Sequence, residues 1–418
     1  MKVAIINKSD NAGGAAVVSV RLTHALREAG VEASMLVTHR ALNDPAIVQI
    51  GSPLANAINF LTERAEIAVS NGFTRHNLFA IDTGSRGTGI SSCKQVREAD
   101  VVVLNWLNQG TVSLSGVRQL VAMGKPVVWV MHDMWNCTGI CHHAHECLHY
   151  TTMCKQCPLL RHPGERDLST AVWQKKKSLY SAGGIHFVAV SNWLADCCRR
   201  STLMRDAPLS VIPNAFPVEQ FTWQRDDSMG LNPTGDKRVI VMGARRLDEP
   251  VKGFGHMLAA LEHISINNPA LAKWLHIVLY GDIRDKDLLN RIPIGHTWLG
   301  PISDTEALSR VYRNGDIVLS TSLFENLPGT LIEGAASGCV PVSYLRGGQA
   351  DIIEHLHTGY LAEWNSAESL AKGIAWAASR PVERQSLHAA MDSRFNSHRI
   401  AEQYISLFNQ LITNKQPI

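Results

Sequence analysis

The sequence alternates short, strongly apolar segments with longer stretches of helical periodicity, and this alternation constrains the fold more than any other feature. The segments rich in valine and isoleucine predict strands at residues 2–7, 33–37, 101–105, 126–131, 187–190, 210–212, 238–243, 276–281, 297–300, 316–320, 340–343 and 360–362. Strands separated by helices form parallel sheets that are covered by helices on both faces. The sequence therefore predicts an α/β protein.

The length of the chain predicts two domains. It has 418 residues, whereas a single hydrophobic core rarely grows beyond about 250–300 residues. The segment 216–236 contains proline and glycine and shows little periodicity, which is typical of a linker. We expect doubly wound, Rossmann-like domains at 1–215 and 237–380 that face each other across a cleft, and a helical segment at 381–418 that packs back on the first domain.

The composition excludes several classes of protein. Hydrophobic residues make up 45% and charged residues 18% of the chain, which is ordinary for a globular protein. A net charge of +3 is too small to indicate a nucleic-acid partner. The sequence contains no apolar run of the roughly 18–20 residues that a membrane span needs, and residues 1–7 resemble a buried strand rather than a signal peptide. We expect a cytoplasmic protein.

Two glutamates, Glu325 and Glu333, follow the predicted strand at 316–320. The first comes directly after the strand, and the second lies about one turn into the next predicted helix. The first amides of that helix are those of Gly329, Thr330 and Leu331. Since a helix N-terminus binds anions such as phosphate, and since carboxylates accept hydrogen bonds from hydroxyl groups, the combination suggests a nucleotide sugar as ligand.

The two glutamates, the small residues after them and the Gly-Cys-Val-Pro-Val segment at 338–342 resemble the signature of retaining glycosyltransferases of the GT-B fold, family 4. The resemblance implies that Glu325 contacts the donor sugar and that Glu333 contacts the ribose hydroxyls. It also implies that the second domain binds the nucleotide sugar and that the first is the acceptor-side domain.

A basic element and a glycine pair extend this resemblance in the second domain. The Gly-Ala-Arg-Arg-Leu segment at 243–247 and the following Lys252-Gly253-Phe254 resemble the family element whose arginine and lysine neutralise the donor diphosphate. Arg246 and Lys252 match best, and the doubled arginine leaves Arg245 as the alternative to Arg246. The pair at 347–348 resembles a glycine pair of the same family.

In the first domain the resemblance rests on a glycine pair and a histidine. Gly13 and Gly14 follow the first predicted strand, where the family has a glycine loop near the diphosphate and the acceptor. His132 ends the strand predicted at 126–131, where the family has a histidine that approaches the donor sugar and the acceptor. The resemblance thus implies four catalytic residues: Glu325, His132, Arg246 and Lys252.

Five of the nine cysteines fall within residues 137–157. The Cys-x-x-Cys spacing of Cys154 and Cys157 suits a tetrahedral metal ion, and Cys141 and Cys147 complete a candidate ligand set for a structural zinc. Reduced thiols are the second alternative and disulfides the third. The segment 132–158 also resembles a polysaccharide-assembly subgroup of the same family, which includes colanic-acid type transferases.

These observations predict a retaining glycosyltransferase of hexosyltransferase type that acts in bacterial surface polysaccharide assembly. The donor would be a UDP or GDP sugar, and the acceptor a glycan or a polyprenyl-linked glycan, which requires peripheral contact with the inner face of the plasma membrane. The chemistry would need no cofactor, because Asp285-Lys286-Asp287 is interpreted as a helix start rather than as a metal-binding motif. The alternatives are a nucleotide-sugar epimerase or hydrolase on the same fold, and a zinc-loop interaction protein.

Overall fold

The computed structural model describes residues 1–414 and divides into two compact units. Unit 1 comprises Met1–Ala215 together with the C-terminal segment from Ser397, and unit 2 comprises Phe216–Asn396. Each unit contains one parallel sheet with helices, so the predicted α/β class with two Rossmann-like sheets is confirmed.

The sheet of unit 1 has seven parallel strands in the order β3-β2-β1-β4-β5-β6-β7. Its central strands are continuous apolar runs, because both faces of a parallel sheet are buried. The strands are β1 (Lys2–Ser9), β2 (Glu32–His39), β3 (Ile47–Gln49), β4 (Val101–Leu104), β5 (Val127–Met131), β6 (Ile185–Ala189) and β7 (Leu209–Val211).

The helices of unit 1 begin at polar or glycine residues that suit a helix N-terminus. Ser52 and Asp167 accept hydrogen bonds from backbone amides of the helices that they precede, which satisfies amides that lack an intrahelical acceptor. The helices are α1 (Gly14–Glu28), α2 (Pro53–Ser70), α3 (Lys94–Glu98), α4 (Leu114–Ala122), α5 (Leu168–Tyr180) and α6 (Asn192–Arg200).

The sheet of unit 2 has six parallel strands in the order β10-β9-β8-β11-β12-β13. These strands are β8 (Arg238–Arg246), β9 (Leu275–Asp282), β10 (Gly295–Trp298), β11 (Ile317–Ser320), β12 (Val340–Tyr344) and β13 (Tyr360–Ala362). The helices of this unit are α7 (Phe254–Asn267), α8 (Pro269–Trp274), α9 (Thr305–Asn314), α10 (Gly329–Ala336), α11 (Ala367–Ala378) and α12 (Arg384–Phe395).

The boundaries of the two units differ from the expected linker and C-terminal segment. The segment 216–236, which proline and glycine suggested as a linker, buries Phe216, Val218 and Phe221 in unit 2, because these large apolar side chains gain from burial. The helix α12 also belongs to unit 2. Only the last helix, α13 (Ser397–Thr413), belongs to unit 1, where it packs against α1.

A helix that crosses a membrane must be both long and apolar. Within residues 1–414, no helix combines the length and the apolar character that crossing a bilayer requires.

Candidate functional site

Each sheet contains one position at which the strand order reverses. It lies between β1 and β4 in unit 1 and between β8 and β11 in unit 2. In open parallel sheets, ligands bind beyond the carboxyl ends of the strands at this position, because the adjacent connections run to opposite faces and leave a crevice. The predicted site residues follow β1 and β5 in unit 1, and β8 and β11 in unit 2.

An ion pair joins the two loops at the reversal in unit 2. Lys252 lies in the segment that follows β8, and Glu325 lies in the loop that follows β11. Lys252 Nζ is 2.7 Å from Glu325 Oε1, and the two side chains are 28% and 22% exposed. The structure therefore brings together two residues that the sequence predicted separately, and leaves both accessible to a ligand.

Backbone contacts hold these two loops in register. Leu323 N donates to Val251 O at 2.8 Å, and Thr321 Oγ1 donates to Lys252 O at 3.0 Å. Gly253 has a φ of +68°, and a Cβ atom there would lie 2.0 Å from Thr321 O. No residue with a side chain fits this approach, so the Lys-Gly pair positions the lysine relative to the glutamate.

The glycine pair at 347–348 fixes the backbone of Glu325. Gly348 N donates to Glu325 O at 3.1 Å. Gly347 has a φ of +122°, and a Cβ atom on it would lie 2.2 Å from the same oxygen. The pair at 347–348 thus sets the position of the glutamate, a role that sequence reasoning did not assign to it.

Helix α10 presents its N-terminus beside Glu325. Pro328 precedes the helix without a side-chain hydrogen bond to it. Leu331 N donates to Pro328 O at 3.2 Å, so this amide is not available as predicted, because the first turn is tightened. The amides of Gly329 and Thr330 have no acceptor within residues 1–414.

Glu333 lies one turn into α10 and is 9% exposed. Its Oε1 atom is 3.9 Å from the position that a Cβ atom on Gly329 would occupy, so the carboxylate faces the first turn of its own helix. The carboxylate of Glu333 and the N-terminus of α10 therefore lie close to each other.

The two arginines that end β8, Arg245 and Arg246, differ in their surroundings. Arg246 Nε is 3.1 Å from Asp248 Oδ1, and a guanidinium nitrogen of Arg246 is 3.6 Å from Glu249 Oε1. Arg245 is exposed and forms no ion pair within the described part of the chain. Arg246 is thus held near the end of β8, whereas Arg245 extends into solvent.

In unit 1, His132 follows β5 and pairs with a residue that follows β4. His132 Nε2 is 2.8 Å from Asn105 Oδ1. Because the amide oxygen can only accept, Nε2 carries the proton and Nδ1 is left as an acceptor. Burial lowers the pKa of His132 to about 4, although the neighbouring Asp133 opposes this shift. His132 is therefore neutral near pH 7.

Gly13 and Gly14 lie at the carboxyl edge of the same sheet. Gly13 has a φ of +86° and precedes α1 without a side-chain cap, and both glycines are exposed. Their position after β1 matches the prediction of a glycine loop at the start of the first helix.

A buried chain of charges lies beside His132, and sequence reasoning did not identify it. The His142 ring bridges two carboxylates, with Nδ1 at 2.8 Å from Asp133 Oδ2 and Nε2 at 2.7 Å from Asp82 Oδ2. Both ring nitrogens face acceptors, so the ring is an imidazolium. Although burial opposes it, the two carboxylates raise the pKa of His142 to about 10.

The chain of charges continues into α2. Arg64 pairs with Asp82 and lies 3.4 Å from Glu63 Oε2. Glu63 Oε1 accepts hydrogen bonds from Thr83 and from Gly84 N at 2.8 Å. The chain joins α2, the loop at 82–84, the end of β5 and the cysteine-rich loop.

The structure holds the four candidate zinc ligands of the cysteine-rich loop, residues 137–157, as free cysteines, and the zinc site stays a prediction. Within residues 1–414, no group of three or more His, Cys, Asp or Glu side chains is arranged to hold a metal ion. Cys154 Sγ instead accepts a hydrogen bond from Gly139 N at 3.1 Å. Burial raises the pKa of Cys154 and of Cys157 to about 11, so both are thiols near pH 7 in the metal-free protein. Cys141 and Cys147 are also free thiols, and the structure fits the reduced alternative.

The Asp285-Lys286-Asp287 segment begins a helical turn, as predicted. Residues 286–291 form a 3-10 helix, and Asp285 caps it by accepting a hydrogen bond from Asp287 N at 3.2 Å. The Asp285 carboxylate therefore has a local structural role.

Most of the second unit matches a known protein family. Residues 224–393 match the family model of glycosyl transferases group 1. The matched range includes the Lys252–Glu325 pair and helix α10, so the segment with the geometry described above is also the segment that carries the family signal.

Among curated proteins, the glycogen synthase of Mycoplasma mobile is 26% identical over 191 residues, which are 42% of this chain and 39% of that protein. The match thus spans less than half of the relative's length.

Solved structures match over nearly the whole chain. The sucrose-phosphate synthase from Thermosynechococcus elongatus has a TM-score of 0.67 at 17% identity and covers 99% of this chain and 100% of its own. The Anabaena protein HepE in complex with UDP and glucose has a TM-score of 0.64 at 16% identity, with 98% and 99% covered. At these identities the comparison supports the fold, which matches GT-B glycosyltransferase structures.

Proposed function

We propose that the chain is a retaining glycosyltransferase that moves a sugar from a nucleotide-diphosphate sugar to a glycan or polyprenyl-linked glycan acceptor. The observation that carries the proposal is the Lys252–Glu325 pair, which lies at the strand reversal of unit 2 beside the amides of Gly329 and Thr330. The resemblance of residues 132–158 to a polysaccharide-assembly subgroup supports a role in bacterial surface polysaccharide assembly.

The proposed donor site follows from the charges of unit 2. A diphosphate needs positive groups, which Lys252, Arg246 and the N-terminus of α10 supply. Sugar and ribose hydroxyls donate hydrogen bonds to carboxylates, and Glu325 and Glu333 accept them. The diphosphate thus matches the positive groups, and the hydroxyl groups match the carboxylates. Both kinds of group lie on neighbouring elements of unit 2. HepE binds UDP and glucose, which favours a UDP sugar over a GDP sugar as the donor.

The proposed reaction breaks the bond between the anomeric carbon and the phosphate oxygen. The electron pair of that bond moves to the departing diphosphate, whose charge Lys252 and the helix amides stabilise. The acceptor oxygen forms the new bond on the same face of the sugar, and its proton moves to the departing phosphate oxygen. Configuration at the anomeric carbon is then retained, and Glu325 orients the sugar while its charge is balanced by Lys252.

Product analysis tests this function. The purified protein is incubated with a radiolabelled UDP sugar, with and without a glycan acceptor, and the anomeric configuration of the product is determined by NMR. We expect transfer that depends on the acceptor, retention of configuration, and activity that survives EDTA. Loss of activity in EDTA that magnesium restores would contradict the metal-independent mechanism.

The same experiment separates the alternatives on this fold. An epimerase would convert the labelled donor to a second nucleotide sugar without any acceptor. A hydrolase would release free sugar at a rate that the acceptor does not change. Either result would show that the protein catalyses the alternative reaction and not sugar transfer.

A lipid-linked acceptor requires contact with a membrane, and helix α2 offers a suitable surface. Leu54, Ile58 and Leu61 lie on one face of this helix and are 73%, 54% and 62% exposed. Exposed apolar side chains on one helix face bind the interface of a bilayer. We expect Ile58→Glu to reduce co-sedimentation with phosphatidylglycerol vesicles, whereas Ile266→Glu, on an exposed position of α7, leaves it unchanged. Equal co-sedimentation of both variants would exclude this surface.

A further inference from the structure

Lys8 lies at the carboxyl end of β1, next to the strand reversal of unit 1. Its ammonium group donates a hydrogen bond to the side chain of Gln109. It also lies over two aromatic rings, 4.8 Å from the centroid of Phe60 and 5.8 Å from the centroid of Trp106. The lysine side chain is thus directed into the region where parallel sheets bind their ligands.

Among the residues that the structure describes, the ammonium group of Lys8 has no carboxylate partner. Within residues 1–414, Lys8 forms no ion pair, and its polar side-chain contact is the neutral amide of Gln109. The two nearby acids are engaged elsewhere, Asp82 with Arg64 and His142, and Glu63 with Arg64. Withdrawing a cation from water without a counterion costs free energy, so this position favours an anionic ligand.

Some of the charges around Lys8 lower its pKa and others raise it. Burial and the positive charge of Arg64 lower the pKa of Lys8, whereas the negative charges of Asp82 and Glu63 raise it, and the result is a pKa of about 8. The ammonium form therefore dominates near neutral pH and is lost in mildly alkaline solution.

The surroundings of Lys8 are rigid and partly accessible. Trp106 Nε1 donates to Asp133 Oδ2 at 2.9 Å, and Trp106 N donates to Asn7 Oδ1 at 2.9 Å. The rings of Trp106 and Phe60 are both partly exposed. Preformed apolar surfaces with a few placed polar groups are typical of small-molecule sites, and aromatic rings beside a cation suit a sugar that bears an acidic group.

We propose that Lys8 is the anion-binding group of an acceptor subsite in unit 1, and that this subsite takes a sugar carrying a carboxylate or a phosphate. The identification of this ligand as the acceptor rests on the proposed function. The binding site itself does not, because it can be measured without donor and without turnover.

Binding of three probes to the full chain tests the proposal. Methyl glucuronide carries a carboxylate, glucose 6-phosphate carries a phosphate, and methyl glucoside is uncharged. Binding is followed by the NMR shift of the Trp106 indole N–H, which lies beside Lys8. We expect at least one charged probe to bind about tenfold or more tightly than methyl glucoside, and about tenfold is a difference that one favourable charge interaction can supply. The charged probe that binds identifies the source of the anion.

Variants of Lys8 show whether the lysine causes this preference. Lys8→Met should abolish the preference for the charged probe, and Lys8→Arg should keep it. Lys2→Met is the matched control, because Lys2 lies at the other end of β1, where it pairs with Glu98 at 3.4 Å and is exposed; it should leave binding unchanged. Thermal unfolding of each variant shows that the comparison is made between folded proteins.

The pH dependence provides a second readout that a purely structural lysine would not give. Affinity for the charged probe should fall as the pH rises through about 8, because the ammonium group loses its proton. Lys8→Arg should remove this dependence, since arginine stays protonated. The proposal is overturned by equal affinity for charged and uncharged probes, by no saturable shift with either charged probe, or by an unchanged preference in Lys8→Met. Binding of UDP-glucose, measured separately, reports on the proposed function.

Discussion

The carboxyl edges of the two sheets hold their charges in different ways. In unit 2, Lys252 and Glu325 form one ion pair that is partly exposed and is positioned by backbone contacts at glycines. In unit 1, a chain of five charged side chains from Glu63 to Asp133 is buried, and each member forms at least one hydrogen bond. The first arrangement can exchange a partner for a ligand, whereas the second joins separate segments of the chain.

This difference separates the groups that are able to meet substrate from those that support them. A partly exposed ion pair contributes little to stability, so the backbone contacts that position Lys252 and Glu325 point to ligand binding. A buried chain of charges is costly to break, because each lost partner leaves an uncompensated charge. In unit 1, His132 and Lys8 are the groups that lie at the edge of this chain without belonging to it.

The largest expected effect is on activity, from breaking the pair in unit 2. Lys252→Ala and Glu325→Gln should each lower kcat by about a hundredfold or more, or on the order of 3 kcal/mol, because the leaving diphosphate and the donor sugar lose their partners. A steady-state assay with the labelled donor measures this. Neither variant should change the free energy of unfolding by more than about 1 kcal/mol.

The chain provides a matched control for this pair. Lys372 Nζ is also 2.7 Å from a glutamate, Glu368 on the exposed face of α11. Lys372→Ala should leave kcat unchanged. Wild-type kcat in Lys252→Ala would remove this lysine from the site.

Breaking the buried chain in unit 1 should instead destabilise the protein. His142→Gln removes the cation between Asp82 and Asp133 and should lower the free energy of unfolding by about 3–5 kcal/mol. Urea unfolding measures this change. The control is His24→Gln, because His24 is half exposed and pairs with Asp44 at 2.6 Å; its loss should cost at most about 1 kcal/mol. Equal effects of the two variants would show that the chain in unit 1 is not specially stabilising.

A smaller effect is expected from the glycines that position Lys252. Gly253→Ala places a Cβ atom 2.0 Å from Thr321 O, so the loop must shift and both stability and kcat should fall, the latter by about tenfold. Gly255→Ala, two residues away, meets no atom within 4 Å and should be neutral or stabilising by up to about 1 kcal/mol, because alanine favours the helix. Similar behaviour of the two variants would show that the close approach at Gly253 is unimportant.

The sequence predicted the fold and the unit 2 residues because both depend on local patterns. Buried strands are apolar runs, and the sequence did not predict β3, Ile47–Gln49, in which the apolar run is limited to Ile47 and Val48. Glu325 and Lys252 each lie in the segment that follows such a run. The two residues lie 73 positions apart in the sequence, however, so only the structure shows that the side chains of Lys252 and Glu325 are in contact.

Other features depend on contacts between distant segments and could not be predicted in this way. The charge chain of unit 1 joins residues as far apart as Glu63 and His142, and no local pattern relates them. The Cys-x-x-Cys motif is a local signal, but zinc binding also requires the four sulfur atoms to converge. Cys154 Sγ accepts a hydrogen bond from Gly139 N, and the zinc site stays a prediction. The segment 216–236 resembled a linker because proline and glycine outweighed the apolar residues that it buries.

His132 and His142, both in unit 1, have pKa values that are shifted in opposite directions. Burial lowers the pKa of His132 to about 4, and Asp82 and Asp133 raise the pKa of His142 to about 10. In the unfolded chain both should titrate near 6.5. Below that pH the unfolded chain takes up a proton that folded His132 does not, so stability falls as the pH is lowered from about 6.5 toward 4.

His142 contributes in the other direction. Its stabilisation is fully present below about pH 6.5 and is lost as the pH rises toward 10, because the folded protein keeps a proton that the unfolded chain releases. Together the two histidines place the greatest stability near pH 6.5, and His142→Gln should flatten the alkaline side while leaving the contribution of His132 on the acid side. Urea unfolding across the pH range and NMR titration of the two imidazole rings measure these effects. Titration of both rings near 6.5 would mean that neither the burial of His132 nor the carboxylate pair around His142 persists in solution.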